Sequence, residues 1–162
     1  MAFKVAFTYG PTNDPIIDVL TGGYAWDMTF SRTISWAIAD GLTGEEWGDR
    51  AAAIQTFSTA LASIEQFIDV EFQYRGSFDD PVAAGRVGDD IVYTLDSETV
   101  DAFTFAYAYF PGPEPTTRSE QYGTEGGDVF MNFSNDIMAS SSFRPGSEGF
   151  LTVIHEIGHS LG

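Results

Sequence analysis

His155-Glu156-Ile157-Gly158-His159-Ser160-Leu161-Gly162 carries both histidines of the 162-residue chain. On a helix, residues four apart share one face, so the two imidazoles can reach a single ion together. A neutral imidazole offers one nitrogen lone pair to zinc. Glu156 stands between them in sequence, where a carboxylate can take a proton from zinc-bound water. The HExxH spacing therefore points to a zinc centre, with His155 and His159 as ligands and Glu156 as general base. Ser147 ahead of the stretch reads as an N-cap, and Glu148 favours the positive end of the helix dipole. Val153, Ile154, Ile157 and Leu161 supply the apolar packing of this helix. Gly162 suits the point where a helix ends in a sharp turn.

Upstream, the clearest second helix runs from an N-cap at Asp49 through Ile54, Phe57, Leu61, Ile64 and Ile68, which form one apolar stripe. Val70, Phe72 and Tyr74 then alternate, so the period changes from helix to strand. Met28–Ile34, Ile91–Leu95, Phe103–Phe110 and Val129–Phe133 read as further strands. Residues 1–14 read as an arm or leading strand, and Ile16–Leu20 begin the apolar pattern. Residues 40–48, 76–90 and 134–146 read as loops, and Pro111 closes the strand before it. No repeat or linker divides the chain. Interleaved strands and helices argue for one α/β layer structure.

Composition narrows the partners. Hydrophobic residues make up 43% of the chain, including 14 Phe, 7 Tyr and 3 Trp, enough to bury a core. The net charge of −17, with Lys4 the single lysine, argues against nucleic acid and anionic membranes as partners. With no cysteine, disulfides and thiolate zinc sites are excluded. The opening MAFKVAFTYGPTND has no apolar run of signal-peptide length, and no segment approaches a membrane span.

The chain resembles the metzincins, and within them the serralysin-type metallopeptidases. His155–Gly162 matches the first eight positions of their HExxHxxGxxH pattern. SEGFLTVIHEIGHSLG is similar to the serralysin active-site helix, and AYAYFPGP and GGDVFMNF to the segments before it. DVLTGGYAWDMTFSRTISW and the helix leading into FIDVEFQY resemble the start of that catalytic domain. The resemblance implies a twisted, mostly parallel sheet with an antiparallel edge strand, helices packed on it and the zinc helix at the cleft floor. It implies a secreted zinc endopeptidase acting on polypeptide substrate, with calcium a cofactor of the family for which no site is readable. It also implies that Val129, Phe130, Met131 and Asn132 form the edge strand that pairs with substrate main chain. The same alternation fits an ordinary buried strand equally well.

The match departs from the family in specific places. The pattern's third histidine would fall three residues beyond Gly162, and the methionine-containing turn and GGxGxD calcium repeats have no counterpart. The resemblance thus implies an upper, N-terminal subdomain whose site is completed by a C-terminal portion or a second chain. The alternative is a non-catalytic protease-like module that binds a partner or assembles.

Overall fold

The computed structural model describes residues 25, 26, 28, 29, 31–87, 90–96, 103–111, 126–132 and 144–162. The expected leading arm (1–14), the apolar run 16–20 and Phe133 lie outside the described residues, as does most of the loop expected at 134–146. The described elements are β1 (Thr33–Ala39), α1 (Arg50–Ile64), β2 (Glu71–Phe78), α2 (Pro81–Val87), β3 (Ile91–Leu95), β4 (Ala106–Ala108), β5 (Val129–Met131) and α3 (Glu148–Leu161). The fold is α/β, with one five-stranded mixed sheet in the order β2-β1-β3-β5-β4. β1 pairs in parallel with β2 and β3, and β3 pairs in parallel with β5. Only β4 runs antiparallel, against β5, with Tyr107 opposite Phe130.

Alternation along each strand sorts side chains between two faces. Ile34, Trp36 and Ile38 of β1, Ile91, Tyr93 and Leu95 of β3, and Val129 and Met131 of β5 belong to the main core. α1 and α3 cover that face through Phe57, Leu61, Phe150, Val153 and Ile157. Phe57 stacks on Tyr93 with ring centroids 4.1 Å apart. The opposite face is built from small residues, Ala37 and Ala39 with Val92, and takes Ala84 of α2. Two carboxylates order the entries to the central strands. Asp90 accepts from both the backbone N–H and the hydroxyl of Ser35, each at 2.8 Å. Asp128 accepts from the N–H of Val92 at 2.7 Å. Charge-assisted bonds of this kind exceed neutral ones in strength.

Several sequence expectations change here. Asp49 caps α1 as expected, its carboxylate accepting from Ala52 N at 2.9 Å. The stripe is broader than the large residues alone, because Ala53 and Ala60 are buried beside Phe57 and Leu61, while Ile68 lies beyond the helix and is exposed. The first strand begins at Thr33, five residues after Met28. Its core positions are the alternating Ile34, Trp36 and Ile38, and the β-formers before them precede the pairing with β2. The expected loop at 76–90 contains the end of β2 and all of α2. The ladder shortens the expected strand Phe103–Phe110 to Ala106–Ala108. No helix among the described residues is long and apolar enough to cross a membrane.

Tyr93 is the anomaly of the core. Its ring is fully buried, and its hydroxyl is a buried atom with no hydrogen-bond partner among the described residues. Burial first, and the nearby Asp128 carboxylate second, push its pKa far above the ordinary tyrosine value. Removing an unsatisfied buried hydroxyl relieves a desolvation cost of about 1–3 kcal/mol. Tyr93→Phe is therefore expected to leave denaturant-measured stability unchanged or raise it by up to about 1 kcal/mol; a clear loss would reveal a partner for the hydroxyl. The sign of the pH effect follows from the raised value. Below about pH 10 Tyr93 is protonated folded and unfolded, and above it only the unfolded chain releases the proton. Stability is thus lost as pH climbs past about 10, and this share, about 1.4 kcal/mol per unit, is absent in Tyr93→Phe. The difference between the two alkaline denaturation profiles isolates it.

Candidate metal centre

α3 is built to present one face and bury the other. Ser147 Oγ accepts from Phe150 N at 3.2 Å, closing the first turn, and Glu148 sits at the helix N-terminus. Phe150, Val153, Ile157 and Ser160 recur at spacings of three and four and are buried. They press the helix against β4, β5 and α1. The small side chains of Ala106 and Ala108 lie in this contact. Leu151 and His155 lie on the opposite, exposed side, and half-buried His159 follows one turn on. At the far end Gly162 turns with φ +109° and donates to the His159 carbonyl at 3.3 Å.

The two histidine side chains converge as the spacing predicts. Their Nε2 atoms stand 3.1 Å apart, with the rings nearly perpendicular at 89°. Two lone pairs do not face each other at that distance unaided. Either one ring donates a proton to the other, or a cation lies against both. Two ligands about 2.0–2.1 Å from a tetrahedral zinc ion stand about 3.3 Å apart, so the pair fits such an ion. Burial, then the neighbouring His155 charge, lowers the pKa of His159, which keeps its imidazole neutral and its lone pair available near neutral pH. Phe110, just past β4, meets the His159 ring edge-on at 5.3 Å.

Glu156 lies about 100° around the helix from His155, at the border of the buried face. It is only 6% exposed. Burial raises its pKa, and the His155 charge partly opposes that shift. A carboxyl poised above its usual range is suited to exchanging protons near neutral pH. Among the described residues no third histidine, cysteine or carboxylate joins the pair in a metal-binding group.

The strand expected to be the open edge is not one. Val129, Phe130 and Met131 form β5, which lies between β3 and β4 and is buried throughout. Asn132 is fully buried, donating its amide to the Thr104 carbonyl at 2.8 Å and its backbone N–H to Phe105 O at 2.9 Å. These four residues carry the sheet and hold β4 in place, so their main-chain groups are already committed. The edge is β4. The carbonyl of Phe105 and the main chain of Tyr109 bond inward, to Asn132, Asp128 and Gly127. Alternation then turns the N–H and C=O groups of Ala106 and Ala108 outward. Among the described residues no strand pairs with that outer side.

Two further contributors were not singled out from sequence. Phe110 is placed by the end of β4, and nothing but its position before Pro111 distinguishes it from the chain's other phenylalanines. Trp26 donates its indole N–H to the Ser160 carbonyl at 2.9 Å, across 134 residues of sequence. No local pattern announces a contact of that span. No model of a known protein family matches this chain, and no curated protein sequence matches it significantly.

Proposed function

We propose that this chain is the upper part of a metzincin-type zinc endopeptidase catalytic domain, with His155 and His159 as two of the zinc ligands. The observation that carries the reading is the 3.1 Å approach of the two Nε2 atoms on an exposed helix face, with Glu156 beside them. A zinc ion held by His155 and His159 would supply Lewis acidity at this site. Glu156 would accept a proton from the attacking water and return it to the departing amine, a role its raised pKa favours. The outward main-chain groups of Ala106 and Ala108 bind an extended polypeptide by adding it to the sheet as a further strand. Exposed Leu151, one turn before His155 on the same helix, offers apolar surface to a substrate side chain. A third protein ligand comes from outside the described residues, in the same chain or a second one. A polypeptide substrate and secretion follow from the metzincin resemblance, and the acidic balance argues against nucleic acid and anionic membranes as partners.

Two variants test the roles. His159→Ala removes one of the converging donors, and zinc affinity measured by chelator competition is expected to fall at least about tenfold. Unchanged affinity would place the metal elsewhere. Glu156→Gln is expected to keep zinc while lowering hydrolysis of a labelled unfolded polypeptide by about 10²–10⁴-fold, measured in the assembly that holds all its ligands. Hydrolysis that survives the substitution would rule out Glu156 as the base.

A further inference from the structure

Trp26 occupies the joint between the histidine helix and the sheet. It is buried, 6% exposed, and belongs to the main core. Its indole N–H donates to Ser160 O at 2.9 Å. Its ring packs on Gly127, where an added Cβ would come within 2.6 Å of Trp26 Cζ2. Gly127 has φ +103° and leads into β5, and the next residue, Asp128, is tied to β3 through Val92 N. The indole therefore links the last turn of α3 to a part of the sheet that is itself pinned.

That last turn is where a helix is weakest. Its carbonyls have no partner within the helix, and helix ends open at little cost. His159 sits in this turn, next to Ser160, while His155 lies one turn deeper. Opening or rotation at Ser160 would therefore displace His159 relative to His155 and separate the two Nε2 atoms. Two hydrogen bonds within the helix also close the turn, and Phe110 meets the His159 ring edge-on. Ser160 Oγ donates locally to Ile157 O at 2.9 Å, and Gly162 N donates to His159 O at 3.3 Å. Neither of these two bonds reaches the sheet, and the Phe110 contact is apolar and holds no backbone group of the turn. The Trp26 bond is long-range and fixes the turn from outside the helix.

We infer that Trp26 is a positioning residue for the metal centre, holding the Ser160 carbonyl so that His159 stays aligned with His155. The inference rests on the zinc reading of the histidine pair. A residue beyond the ligands that orients them commonly influences metal affinity by 10–100-fold. Trp47 provides a matched control. It is buried in the same core and donates its indole N–H to the Ala39 carbonyl at 2.7 Å, so its bond ties β1 rather than the end of α3.

The experiment is a Co²⁺ titration of the full chain, read by visible d–d absorption and chelator competition, on the unaltered protein, Trp26→Phe and Trp47→Phe. Thermal unfolding of each variant is recorded alongside. Both variants are expected to lose stability, but only Trp26→Phe is expected to bind Co²⁺ about tenfold more weakly with an altered absorption spectrum. Equal Co²⁺ affinity and spectra in the two variants would overturn the positioning role while leaving the zinc reading intact. Two converging imidazoles hold Co²⁺ weakly even without a third ligand, so absence of even weak Co²⁺ binding by the unaltered protein would overturn the zinc reading, and the positioning role with it. Should Trp26→Phe not fold, the unaltered protein decides. By linkage, a bond that strengthens metal binding is itself strengthened by the metal to the same degree. Co²⁺ or Zn²⁺ should then slow hydrogen exchange of the Trp26 indole by about tenfold and leave that of Trp47 unchanged. Equal exchange with and without metal would overturn the role.

Discussion

Val153 and Ile157, both fully buried, press α3 under the antiparallel margin of the sheet, and the rest of the site hangs on that contact. A helix that buries this face must turn residues 155 and 159 the other way, because successive residues advance by about 100°. The contact is close because the strand above it offers alanines at positions 106 and 108. Larger side chains there would lift the helix and carry the histidines away from the edge of the sheet. The polar geometry of the centre is thus a by-product of apolar packing on the reverse side of one helix.

The sheet serves the same arrangement from the other direction. Its parallel centre is buried on both faces, as parallel sheets require. Two carboxylates, Asp90 and Asp128, satisfy backbone donors at the entries of its strands. Asn132 then carries the order one step further, from β5 to the residues that lead into β4. The outermost strand is short and is held by its inner neighbour, which leaves its outer side unpaired among the described residues.

What could be read from the sequence follows a physical division. α1 and α3 were legible because their caps are local, Asp49 and Ser147 each bonding an N–H three residues on. The histidine pair was legible because residues four apart on a helix must meet. β3 was legible as an apolar run, and it is buried at every position. Strand order was not legible: Val129–Met131 alternates in the same way whether it lies inside a sheet or at its rim. Burial of β5 follows from partners 36 residues upstream at β3 and some 20 upstream at β4, which no local period encodes. α2 escaped notice because its seven residues, PVAAGRV, carry too few apolar positions to show a period. Trp26 escaped for the plainest reason, since its partner lies 134 residues away.

That separation has a consequence for how the molecule is made. The helix bearing the histidines can form its first turns from local information, but its final turn receives an outside bond only when residue 26 has been brought across the whole chain. Closing so long a loop is an entropic cost met late, after the sheet has gathered the intervening strands. The two imidazoles would then come into register at the end of folding. A chain still being assembled holds the two imidazoles only loosely related, and the ordered pair belongs to the finished fold.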